Sequence, residues 1–113
     1  MTILNLTTRE VPGRVHVELT GELDIATAPK LDEEMRRLEA DGHELIVIDL
    51  RGLSFMDSSG LRALLAADGK ARELGRRLVI VRGDDRVQRV LRITRLDERL
   101  EIVDDAESLA GAA

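Results

Sequence analysis

The sequence predicts an α/β domain: a mixed, mostly parallel sheet of about five strands, opened by an antiparallel pair and carrying three to four helices. Three observations lead there. Two short strand-like runs flank Pro12-Gly13, which is turn chemistry. ELIVIDL (residues 44–50) and RLVIV (77–81) are apolar nearly throughout, as strands covered on both faces are. Between and after them the apolar period lengthens to about 3.6 residues, so helices separate the strands. Strands alternating with helices require right-handed parallel crossovers.

Residues 3–8 and 14–20 form the expected hairpin; Val15, Val17 and Leu19 alternate with His16, Glu18 and Thr20, so one face is buried. From Thr27, Ala28, Leu31, Met35 and Leu38 share a helical stripe, with Asp32, Glu33, Arg36 and Arg37 off it. Thr27 is the expected N-cap, Pro29 suits the first turn, and Asp41-Gly42 ends the helix. The strand at 44–50 follows. A second helix spans 58–74, burying Leu61, Leu64, Leu65 and Leu74 and stopping at Gly75. DGKARELGRR (68–77) closes it with basic residues suited to the helix dipole. After the strand at 77–81, Val87, Val90 and Leu91 mark a third helix, 100–103 a short strand, and 106–109 a last weak helix. Laid out in chain order, the parallel strands put the main helices on one face of the sheet. The other face is then expected to be polar, although the unbroken apolar runs argue against leaving it wholly uncovered.

Residues 1–113 read as one domain, with no repeat, linker or composition break, large enough to bury about two-thirds of its unfolded surface. The chain is 43% hydrophobic and 35% charged, as a folded soluble protein is. Its net charge of -5 gives no basic face for nucleic acid. Without cysteine there are no disulfides, thiolate metal sites or thiol nucleophiles, and with only His16 and His43 an imidazole-rich metal site is excluded. No metal or cofactor is expected. No apolar run approaches the roughly 20 residues of a membrane span, and MTILNLTTREV is not a secretory signal. The expected location is the cytoplasm.

FMDSSGL (55–61) sits where a central strand feeds a helix, at the sheet end where α/β domains place ligands. Asp57 or Ser58 caps that helix, and Gly60 eases the turn. A phosphate on a serine here would meet free helix amides and the positive end of the dipole, so the fold would tolerate it. A serine hydrolase does not fit: Met56 stands where a nucleophile elbow needs glycine, and neither histidine has a path to Ser58. Asp49 resembles the acceptor of a phospho-receiver only in placement. The acidic pair and late lysine are missing, so it reads as a structural acid paired with Arg51 or Arg82. GELD (21–24) leaves the neighbouring strand at the same sheet end, which brings Asp24 and Asp57 to one surface around Ser58. There two carboxylates would oppose a phosphate of about -1.5 to -2 charges. Phe55, the single aromatic residue, is expected to plug the sheet–helix junction. Exposed together with Met56, it would instead anchor a partner.

These segments carry a resemblance. GELDIATAPKL, VIDLRGLSFMDSSGLRALL and LVIV followed by VQRVLRITRLDERLEIVDD are similar to the anti-sigma factor antagonists of the STAS-domain family, over essentially the whole chain. The resemblance implies a mixed sheet opened by an antiparallel pair, and a non-catalytic partner switch. The unmodified antagonist binds an anti-sigma factor that is also a serine kinase, which releases a sigma factor. The kinase uses ATP to phosphorylate the first serine of the pair, here Ser58 (Ser59 being the second choice), and a PP2C-type phosphatase reverses this. Asp24 matches the acid beside the phospho-site. The partner-binding set expected on this basis is Asp24, Thr27, Asp57, Ser58, Ser59, Gly60 and Arg62. The alternatives are a constitutive STAS scaffold, serving a transporter or signalling assembly without phosphorylation, and an enzyme acting through Ser58.

Overall fold

The computed structural model describes residues 3–105. β1 (Leu4–Val11) and β2 (Arg14–Leu23) pair antiparallel around Pro12-Gly13, where Gly13 adopts the positive φ of 78° that the turn requires. Parallel pairing then adds β3 (Leu45–Met56), β4 (Arg77–Val81) and β5 (Glu101–Val103), and the sheet order is β1-β2-β3-β4-β5. The expected mixed sheet and chain-order layout are both present. Helices α1 (Ala28–Glu39), α2 (Ser58–Glu73) and α3 (Asp85–Ile93) bridge successive parallel strands, and Leu96–Glu98 makes one 3₁₀ turn before β5. The expected helix at 106–109 lies outside the described residues. No helix among those described is long and apolar enough to cross a membrane.

The main core fuses one face of the sheet with all three helices: Val15, Val17, Leu19, Ile46, Ile48, Leu50 and Ile80 meet Leu31, Leu64 and Leu91. Val47, Val79 and Val81 form a second, smaller buried cluster with Leu45 and Val103. Their burial explains why residues 45–48 of β3 and 78–81 of β4 are apolar without a break. That face is therefore polar towards the hairpin and at the exposed Arg77–Glu101 ion pair across β4 and β5.

Several boundaries differ from expectation. β3 runs six residues beyond its apolar run, because irregularities in its pairing with β2, between Glu18 and Thr20 and between Gly21 and Glu22, bend the strands and restore pairing through Leu23 and Met56. Gly21, at φ 108°, is required there: a Cβ would stand 2.3 Å from the Ile3 carbonyl oxygen. In α2, Leu74 is exposed at the C-cap rather than buried, and Ala63, Ala67 and Ala71 fill the inner stripe with Leu61 and Leu64. Gly75, at φ 70°, ends the helix as expected. Met35 and Leu65 are only partly buried. At the C-terminus of α1, the Arg76 guanidinium donates to the carbonyls of Leu38 and Glu39 at 3.2 and 2.6 Å. α3 starts on a cap that its apolar pattern did not reveal: Asp84 Oδ1 accepts from the amides of Arg86 and Val87 at 3.0 and 3.2 Å.

Candidate functional site

The extension of β2 and β3 builds the site. Leu23 and Met56 are partners in register, so the residues that follow them, Asp24 and Asp57, leave the sheet side by side. The Asp57 amide donates to the Leu23 carbonyl at 3.3 Å, tying the two exits together.

Each acid is engaged by its own chain. Asp57, extended at φ -113° and ψ -169°, caps α2: its Oδ1 accepts from the amides of Ser59 and Gly60 at 2.9 and 3.2 Å. Asp57 rather than Ser58 is thus the cap, and two of the amides expected to be free for a phosphate, those of Ser59 and Gly60, are already engaged. Asp24 Oδ1 accepts from the amides of Ala26 and Thr27 at 2.9 and 3.2 Å, closing the loop ahead of α1. Thr27 occupies the expected N-cap position but makes no side-chain cap bond. It is buried, and its hydroxyl donates to the Glu22 carbonyl at 2.8 Å and accepts from the Asp24 amide at 3.0 Å. Asp24 and Thr27 therefore lock one loop reciprocally.

Ser58 is the first residue of α2, exposed, and its hydroxyl has no hydrogen-bond partner among the described residues. Ser59 is half-buried and lines a shallow depression with Ile25, Pro29, Asp32, Arg62 and Ala66. Gly60 does not ease a turn through positive φ. It is buried within the helix, where a Cβ would stand 2.6 Å from the Leu23 carbonyl oxygen, 2.8 Å from Leu23 Cγ and 2.9 Å from Met56 Cγ. Only glycine lets α2 sit this close to the end of β2.

Two apolar side chains flank the serines. Ile25 is 78% exposed and Phe55 46%, while Met56 is buried. Phe55 does not plug the junction as expected: the sheet irregularity breaks the strict alternation, so Ser54 and Phe55 both face outward between buried Leu53 and Met56. Ile25 does not stand out in the sequence; a lone apolar residue in a short loop between Asp24 and Ala26 is its only signal.

Neither histidine serves Ser58. His43 precedes β3 at the far end of the sheet, and His16 pairs with Val47 in the first half of that strand. Burial first, and then the Arg14 and Arg9 charges, hold the His16 pKa below its ordinary value. Asp49 pairs with Arg51 in a bidentate ion pair, the closest approach being 2.7 Å, while Arg82 reaches Asp104 instead. Burial raises the Asp49 pKa, but bonds from the Arg51 side chain and amide outweigh that and hold it low. It is a structural acid, several residues removed from the serines.

A hairpin-led mixed sheet with three helices in one core, presenting an acid-flanked serine at the start of α2, describes a small α/β domain. The chain belongs to the STAS domain family, whose sequence profile matches residues 5–109. It is 30% identical over 104 residues to an anti-sigma-B factor antagonist of Staphylococcus aureus, covering 92% of this chain and 96% of that protein. An anti-sigma-B factor antagonist of Listeria monocytogenes is 33% identical over 88 residues, 78% of this chain and 77% of that one. The crystal structure of an anti-sigma factor antagonist from Mycobacterium paratuberculosis superposes with a TM-score of 0.83 at 27% identity, covering 97% and 93% of the two chains.

Proposed function

We propose that this chain is an anti-sigma factor antagonist that acts by binding and is switched at Ser58. In its unmodified form it docks onto an anti-sigma factor that is also a serine kinase, and so frees a sigma factor. The kinase phosphorylates Ser58 with ATP and ends the binding, and a PP2C-type phosphatase restores it. Such a chain works in the cytoplasm and catalyses nothing itself.

One observation carries the reading: an exposed, unbonded serine at a helix N-terminus, set between two carboxylates and two exposed apolar side chains. The hydroxyl is free to enter a kinase site. Ile25 and Phe55 supply the apolar contact that a docked partner buries, with Arg62 and Ser59 at the edge. Asp24 and Thr27 act through the loop they lock, and Gly60 through the position of α2. A phosphate of about -1.5 to -2 charges beside Asp57 and Asp24 makes this corner strongly negative. The helix dipole offsets part of that cost within the fold, by about 0.3–1 kcal/mol. A partner fitted to the unmodified corner gains no such offset. Tolerance of the phosphate therefore rests on exposure and the dipole rather than on free amides.

The test is to incubate the purified chain with its anti-sigma factor and ATP. One phosphate per chain is expected, on Ser58 by peptide mass spectrometry, and Ser58→Ala should take none while still binding. A phosphate persisting in Ser58→Ala would move the site to Ser59, and failure of the unmodified chain to bind any anti-sigma factor would refute the reading.

A further inference from the structure

We propose a zinc site at the opposite end of the sheet from Ser58, formed by Glu10, Asp41 and His43. Nothing in the switch mechanism uses these residues, and the inference does not rest on it.

The three ligand atoms come from two segments that are already joined. Glu10 lies at the end of β1, just before the hairpin turn; Asp41 and His43 flank Gly42 in the turn that leads into β3. The amides of Glu44 and Leu45 donate to the Gly13 carbonyl at 3.2 and 3.3 Å, fixing the two turns against each other. Between them one ligand atom each of Glu10, Asp41 and His43 lies within 4.8 Å of the other two. Nε2 is 3.4 Å from Glu10 Oε1 and 3.9 Å from Asp41 Oδ2. A tetrahedral zinc ion bound at about 2.0–2.2 Å sets its ligands about 3.3–3.6 Å apart, which the Glu10–His43 pair already meets and to which Asp41 must close in.

A second observation points to a ligand. Only 12% of the His43 side chain is exposed, and Nε2 itself is buried with no hydrogen-bond partner among the described residues. A buried polar atom left unsatisfied is costly, and a cation bridging it to two carboxylates removes that cost. One imidazole and two carboxylates suit a borderline ion such as Zn²⁺, and their two negative charges balance its own. Arg37, which approaches Asp41 Oδ2 only at 4.0 Å, is no firm competitor. Metal-ligand spacing is absent along the chain because the hairpin brings Glu10 in from a distant segment. With three protein ligands the fourth position stays open to water, and the ion would clamp the hairpin to the α1–β3 turn.

The experiment is calorimetric titration of EDTA-treated, full-length protein with zinc chloride alone, paired with thermal unfolding with and without zinc. One ion per chain and a raised Tm are expected. His43→Ala, and separately the Glu10→Gln/Asp41→Asn pair, should weaken binding at least about tenfold. His16→Ala, which removes the other histidine, should change nothing. Glu10 is half-exposed, so the carboxamide pair keeps the test independent of any folding defect in His43→Ala. No saturable heat and no Tm shift would overturn the proposal, as would zinc binding that survives His43→Ala with its stoichiometry intact.

Discussion

Gly60→Ala isolates the contact that seats α2 against the ends of β2 and β3. The added methyl lands 2.6 Å from a backbone oxygen of Leu23 and under 3 Å from the Leu23 and Met56 side chains. The side chains can yield a few tenths of an ångström, but the carbonyl belongs to a paired strand and yields little. Overpacking of this kind costs about 1–3 kcal/mol. Alanine's better helix propensity returns at most about 1 kcal/mol. The net expectation is a loss of about 1–2 kcal/mol, or roughly 4–8 °C in Tm per kcal/mol. Gly69, in the same helix, is exposed, and an added methyl there would meet nothing within 4 Å, so Gly69→Ala should stabilise by about 0.5–1 kcal/mol. Urea unfolding of both variants, followed by circular dichroism, reads the two signs in one experiment. A Gly60→Ala protein as stable as wild type would refute the argument that close approach, rather than backbone freedom, requires glycine there. Because the clash displaces the N-terminus of α2, partner binding should also fall in the variant that remains folded.

Further outcomes follow from the same geometry. Ile25→Ser with Phe55→Ser should weaken anti-sigma factor binding at least about tenfold, since exposed apolar anchors of this kind dominate interfaces, while Tm stays within a degree or two. Asp57→Ala frees the amides of Ser59 and Gly60 and should cost about 0.5–2 kcal/mol by chemical denaturation. His16 has its pKa lowered from 6.5, so the unfolded chain takes up its proton first as pH falls. Stability from this group is complete above pH 6.5 and declines as pH drops from 6.5 through the folded-state value, below which it is flat. His16→Gln should remove that slope, measured as Tm against pH; an unchanged slope would assign it to other groups.

The hairpin, the parallel strands and the order of the helices are legible in the sequence because their apolar periods are strong and their turns carry glycine. The acid-flanked serine is legible as well, as a cap motif after a buried strand. What stays hidden depends on pairing between distant segments. Residues 51–56 look like a loop, and become strand only because the bend at Gly21 restores pairing with β2. The same bend turns Phe55 outward, which alternation along the strand could not show. Thr27 makes no cap bond for a local reason: its hydroxyl is taken by the Glu22 carbonyl, while Asp24 closes the loop ahead of the helix. Gly60 stands out in the motif, but its cause does not, since the atoms it makes room for lie on β2 and β3.

The most direct test of the switch is the dissociation constant for the anti-sigma factor, measured with the unmodified chain and with the chain phosphorylated at Ser58. Like charges forced together at an interface cost several kcal/mol, so the phosphorylated chain should bind at least about 100-fold more weakly, with its fold intact by circular dichroism. Equal affinities for the two forms would contradict the account.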